Sequence, residues 1–174
     1  MTEKKINEIC KFKQFIGPKL AVVVKNLNAE LRKYRFEARE KQGASYDELM
    51  GILKDRNASY PIIGLSYEYL ETEVLQVRLQ VQNRDSYEQM PDHAAIVLAS
   101  DDSDTVLYDP YASHSKRRKQ DPLLSEGIVR RPTPRVLAYW EKALFSDWML
   151  WIRRLTGKEP DLTTYMNGEL GREF

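Results

Sequence analysis

Only one cysteine, Cys10, and two histidines, His93 and His114, occur among the 174 residues. A single thiol excludes an internal disulfide framework and a multi-cysteine zinc site, and it fits a reducing compartment, so the cytoplasm is the expected location. The two histidines have no His or Cys companions at ligand spacing, so neither a metal nor a cofactor is expected. Charge of one sign is also lacking. The 27 basic and 26 acidic side chains leave a formal net charge of +1, which provides no global field toward nucleic acid or an anionic membrane. Apolar runs such as Leu20 to Val24 fall far short of the roughly 20 residues that span a bilayer. Met1 to Lys5 is charged and lacks the apolar stretch of a secretory signal, so neither a membrane span nor export is expected. No Gly-rich phosphate loop follows a strand-like run, which leaves a nucleotide fold without support.

What is present reads as one folded unit. A hydrophobic fraction of 42% and a charged fraction of 30% are ordinary for a globular chain, and the length suffices for one core without disulfides. The expected organisation is a single domain over 1–157 and a patternless tail over 158–174, with no internal repeat. Thr2 can cap a short helix carrying Ile6, Ile9, Cys10 and Ile16, which Gly17-Pro18 interrupts. Pro18 then suits the first turn of a long helix with Leu20, Val24, Leu27, Leu31 and Tyr34 on one face, ending at Gly43. Ser45 with Glu48 forms a capping box before Leu49, Ile52 and Leu53, predicting a third helix that ends near Asn57.

From Tyr60 the period changes. Ile62, Ile63 and Leu65 beside Pro61 predict a strand near an edge or at its beginning. Leu75, Val77, Leu79 and Val81 alternate with polar residues as a half-buried strand does. The apolar run His93 to Ala99, a turn at Asp101 to Asp104, and Thr105 to Tyr108 predict a hairpin. Thr133-Pro134 opens a last helix with Leu137, Trp140, Leu144, Trp148 and Trp151 in one stripe until Gly157. Helices, then about four strands, then a helix indicate an α+β fold with an antiparallel sheet.

Within that hairpin His93 opens one strand and Asp109 follows the next, so both fall at the same end of the sheet. A carboxylate on one imidazole nitrogen fixes the tautomer and leaves the other nitrogen to take a proton. The plainer reading is that His93 merely begins a strand and Asp109-Pro110 begins a turn. The basic run Lys116 to Lys119, with Arg130, Arg131 and Arg135, has the composition of a phosphate-binding patch, but such runs are more often solvated loops, and nucleic-acid binding is not favoured. Tyr139, Trp140, Trp148 and Trp151 have the spacing of core packing more than of a ligand groove.

The run His93-Ala-Ala-Ile-Val-Leu-Ala-Ser100, a short acidic turn, and Thr105-Val-Leu-Tyr-Asp109-Pro-Tyr111 resembles the His-strand-turn-strand-Asp-Pro segment of papain-like peptidases that process bacteriocin leaders, the peptidase-domain type found on ABC transporters. Pro61-Ile-Ile63 resembles the strand that precedes the histidine, and Val136 to Trp148 is similar to the closing helical segment. The resemblance spans roughly the second half of the chain. It implies a papain-like fold, with N-terminal helices packed on an antiparallel sheet and a C-terminal helix. It also implies a peptide or protein segment as partner, His93 as base and Asp109 as its orienting residue. In that family the nucleophile is a cysteine, usually followed by glycine, at the start of a long helix, with a glutamine shortly before it. Here Ile16-Gly17-Pro18 stands at that place, Gln14 does not match the glutamine cleanly, and Cys10 is the only thiol.

Two readings follow. In one, Cys10 attacks an amide while His93 serves as base and then acid. A helix N-terminus and a nearby imidazolium would lower the thiol's pKa for that task, whereas beside Ile6 and Ile9 the same residue resembles a small core hydrophobe. In the other, the chain keeps the fold, His93 and Asp109, has lost the nucleophile, and binds an extended segment without cutting it. Neither reading fixes the oligomeric state.

Overall fold

The computed structural model describes residues 20–75, 93–114 and 121–156. The apolar stripe after Pro18 forms helix α1, Leu20–Leu31, but this helix does not run on to Gly43. It tightens into a 3₁₀ turn, Arg32–Tyr34, and stops at Arg35, whose φ of 62° is left-handed and whose N–H closes on the Arg32 carbonyl. The cause is tertiary. Strand β1, Phe36–Lys41, pairs antiparallel with Met149–Arg154, and such pairing overrides the weak preference that helix propensity expresses. On the outer flank of β1 the Asn28 side chain accepts from the Ala38 N–H at 2.6 Å and donates to the Ala38 carbonyl at 3.0 Å. One side-chain amide thus stands in for a neighbouring strand at the sheet edge.

Glu37 lies at this edge between Arg32 and Arg39, at 3.2 and 2.8 Å. Burial acts to raise its carboxyl, but hydrogen bonds from Arg39 and Arg32, with their charges, outweigh burial and hold the group below the ordinary value of 4.5. A carboxyl depressed on folding contributes stability that is full above the unfolded value and is lost as pH falls through the folded one. Between about pH 6 and about pH 3 the wild type is expected to lose more unfolding free energy than Glu37→Gln in urea titrations. Equal losses would remove Glu37 from the acid response.

Ser45 and Glu48 make the reciprocal cap: the Ser45 Oγ accepts from Glu48 N–H at 3.2 Å, and the Glu48 carboxylate accepts from Ser45 N–H at 2.9 Å. Helix α2, Tyr46–Lys54, follows and ends at Asp55 rather than at Asn57. Strand β2, Ile62–Leu65, begins directly after Pro61. It is an interior strand, because it pairs with Met149–Arg154 on one side and with His93–Ser100 on the other. Proline is tolerated there because it precedes the ladder, to which it contributes only a carbonyl, accepting from Val97 N–H at 2.8 Å. A short helix α3, Tyr67–Tyr69, continues into a π turn, Leu70–Leu75. Leu75 therefore ends a helical turn, and the rest of the expected alternating strand lies outside the described residues.

The predicted hairpin is present as β3, His93–Ser100, and β4, Asp104–Tyr108. Its turn is held by the Asp101 carboxylate, which accepts from the N–H groups of Ser103 and Asp104, both at 2.8 Å. A 3₁₀ turn, Pro110–His114, follows. Further on come a short helix α4, Pro122–Ser125, and a strand absent from the sequence expectation, β5, Ile128–Pro132. Helix α5 covers only Thr133–Glu141, and Met149–Arg154 is strand β6. The single long C-terminal helix is thus replaced by helix, turn and strand. Asp147 at φ 51° turns the chain, and Trp148 and Trp151 leave the helical stripe.

All strand pairs among the described residues are antiparallel, which makes the fold α+β with a six-stranded antiparallel sheet. One sheet face carries Ile63, Leu65, Ala95, Val97, Leu107, Val129 and Met149 into the core. Leu49 of α2, Tyr69 of α3, Val74, and Val136, Tyr139 and Trp140 of α5 close over them. No helix among the described residues is long and apolar enough to cross a membrane.

Candidate functional site

Strands β3 and β4 run antiparallel, so the start of one and the end of the other meet. Ile96 stands opposite Tyr108, and one further step puts Asp109 opposite Ala95, on the sheet face that His93 shares because alternate residues point the same way. The two side chains meet on that face, with His93 Nε2 2.8 Å from Asp109 Oδ2. The carboxylate side chain is fully buried and the imidazole is 11% exposed.

Asp109 is fixed from several sides. Its Oδ1 accepts from Tyr111 N–H at 2.8 Å, its own N–H donates to the Gly127 carbonyl at 2.7 Å, and its carbonyl accepts from Ala112 N–H at 3.0 Å. Gly127 permits this approach. Its φ is 80°, and a Cβ there would lie 2.9 Å from the Tyr108 ring and 3.1 Å from the Asp109 carbonyl oxygen. With the carboxylate on Nε2, the ring nitrogen that remains for proton exchange is Nδ1.

Two tyrosines frame the imidazole. The Tyr69 ring stacks on it at 5.9 Å with 16° between planes, and Tyr111 meets it edge-on at 5.5 Å and 89°. Tyr69 is completely buried, and Tyr111 is 52% exposed. Among the described residues the buried Tyr69 hydroxyl makes no hydrogen bond. Burial first, and then the Asp109 charge, push its ionisation well above the ordinary phenol range, so it stays an O–H.

Behind Tyr69 the packing continues into a polar cluster. Tyr139 meets Tyr69 edge-on at 5.8 Å. The Tyr139 hydroxyl contacts Glu73 Oε1 at 3.1 Å and Thr72 Oγ1 at 2.8 Å. Glu73 is buried and ion-paired with both Arg131 and Arg135. Of Arg130, Arg131 and Arg135, the last two are therefore committed to a carboxylate, while Lys116 to Lys119 lie outside the described residues. Tyr139 and Trp140 are core residues, as their helical spacing implied.

Sequence reasoning brought His93 and Asp109 together correctly, whereas Cys10, Gln14 and Ile16 lie outside the described residues. Helix α1, which follows Ile16-Gly17-Pro18 in the chain, packs on β1, and β1 is three places from β3 in the sheet. Tyr69 and Tyr111 were missed as site residues. Tyr111 stands two positions after Asp109 and was within reach of a local reading. Tyr69 carries no sequence signal, because it reaches His93 only through the register that pairs Leu65 with His93. No family model matches the chain, and no curated protein sequence matches it.

Proposed function

We propose that this is a cysteine peptidase-like protein that acts on or holds a peptide segment at the His93 end of the sheet, with His93 as base and Asp109 as its orienting partner. The observation that supports this reading is the 2.8 Å contact between His93 Nε2 and the buried Asp109 carboxylate. Such a carboxylate holds one tautomer and stabilises the imidazolium that forms when Nδ1 takes a proton. In the catalytic form, Nδ1 takes the Cys10 thiol proton and the thiolate attacks the amide carbonyl. The imidazolium then protonates the departing nitrogen as the C–N bond breaks. Water, deprotonated by the same ring, cleaves the thioester and restores the thiol.

A second reading, a binding module without cleavage, is favoured by Ile16 at the place of the resembling family's cysteine and by the seat of α1 on β1, away from β3. Alkylation of Cys10 by iodoacetamide at about pH 6 and about pH 8 separates the two. Cleavage chemistry predicts rapid labelling at the lower pH that falls roughly 10-fold in His93→Ala, because the imidazole is what holds the thiolate there. Labelling no faster than a free thiol, and indifferent to His93→Ala, would remove the nucleophile and leave the binding reading.

A further inference from the structure

We infer that the cleft between α2 and the β1–β6 pair binds a small aromatic carboxylate, with Trp151 as the platform for its ring and Arg39 and Arg153 as the cations that take its charge. The cleft has a volume of about 270 Å³, just under the range that holds drug-sized ligands, so its occupant is small. None of the groups around His93 lines it, and the inference is independent of the reading of that histidine as a base.

The strand wall follows from register. Arg39 stands opposite Trp151, and Glu37 opposite Arg153. Paired residues share a face, as do residues two apart on one strand, so the Trp151 indole has Arg39 across the ladder and Arg153 beside it along the strand. Both cations have donors to spare. Among the described residues Arg39 bonds Glu37 through Nε at 2.8 Å, and Arg153 stands 3.6 Å from Asp55, beyond hydrogen-bond reach. A guanidinium carries five N–H donors in a planar fork that matches a carboxylate.

The helix wall is open at one position. Glu48, Gly51 and Asp55 follow at steps of three and four, on one side of α2 and its C-terminal cap. Glu48 pairs with Lys41 and Asp55 with Arg153, but between them Gly51 has no side chain to reach across. Its φ is not left-handed, and a Cβ there would meet nothing within 4 Å. Glycine is a poor helix former, so neither backbone nor crowding calls for it, and what it provides is the space that Trp151 lines from the other side. Three cations, Arg39, Lys41 and Arg153, line the cleft against two carboxylates, Glu48 and Asp55. Glu37, behind Arg39, is shared with Arg32 and leaves that balance unchanged. One negative charge completes it, which fits a carboxylate better than a phosphate carrying nearly two.

Indole-3-acetate serves as probe, and indole-3-acetamide, the same ring without the charge, as control. The chain has three tryptophans, so NMR of tryptophan-¹⁵N-labelled protein reads each indole N–H, with Trp151→Phe identifying its signal. The acetate should shift the Trp151 signal saturably, with a Kd of about 1 mM or tighter at low salt, and the acetamide should bind roughly 5-fold more weakly. Gly51→Leu should remain folded, since helix propensity rises and the side chain enters open space, yet it should weaken the acetate about 10-fold by filling the cleft. No saturable shift by about 10 mM acetate would overturn the inference, as would equal affinity for acetate and acetamide, or a folded Gly51→Leu that binds like wild type. If Gly51→Leu does not fold, Arg39→Gln decides: a loss of about 5-fold is expected, and unchanged affinity sinks the assignment.

Discussion

Truncating Glu73 to alanine should cost about 3 kcal/mol of unfolding free energy, at the low end of the range for breaking a buried charge cluster from one side. Its carboxylate is 5% exposed and serves Arg131, Arg135 and the Tyr139 hydroxyl together. The three partners do not weigh equally. Arg135 is 56% exposed and can turn to water, so its share is small. Arg131 is 21% exposed and is also tied to the Glu73 main-chain carbonyl at 2.9 Å, so it would remain in place beside the missing charge. Urea unfolding of Glu73→Ala and Glu73→Gln checks this, with the amide recovering part of the loss because it still accepts from Tyr139. A cost below about 1 kcal/mol would place the cluster with ordinary surface ion pairs.

Trp140→Ala should be the most damaging single truncation in α5, at about 4 kcal/mol. The side chain is 1% exposed at the centre of the core, and its Nε1–H donates to the Trp148 carbonyl at 2.8 Å. Its own carbonyl accepts from the N–H groups of Ala143 and Asp147, both at 3.2 Å. The indole therefore fills the core and anchors the turn that delivers β6. Thermal and chemical unfolding of Trp140→Ala and Trp140→Phe separate these roles, since phenylalanine restores most of the volume but not the donor. If Trp140→Phe were as damaging as alanine, the Trp148 bond would dominate. If both variants cost less than about 1 kcal/mol, the assignment of Trp140 to the core would be wrong.

The parts of the fold legible in the sequence are those decided by neighbouring residues. The Ser45–Glu48 box, the hairpin from His93 to Tyr108 and the Asp109 turn depend on residues a few positions apart, and each appears as expected. The α+β class followed from their order. The errors lie where a distant partner decides. Phe36 to Lys41 continues a helical period, but pairing with β6 draws it into a strand. The stripe from Leu137 to Trp151 breaks after Glu141 because β6 is needed between β1 and β2. Of the two places that Pro61 suggested, an edge strand or the beginning of a strand, the structure has the second: it precedes a strand with neighbours on both sides. The candidate site divides along the same line. The His93–Asp109 contact is a hairpin property and was visible, while Tyr69 comes from a separate segment through sheet register and was not.

Chain order and sheet order part company at β6. From β2 to β5 the strands lie side by side in the order in which they are made, but β1 touches the rest of the sheet through a strand that arrives last, joining positions 36 and 154. Closing so long a loop carries a large entropy before any ladder bond repays it, and contacts of such separation slow folding. A chain emerging from its N-terminus can therefore assemble the β2–β5 meander, with His93 against Asp109, while β1 still waits for a partner. The hairpin that holds His93 against Asp109 thus rests on local pairing, whereas β1 joins the sheet only through the strand farthest from it in sequence.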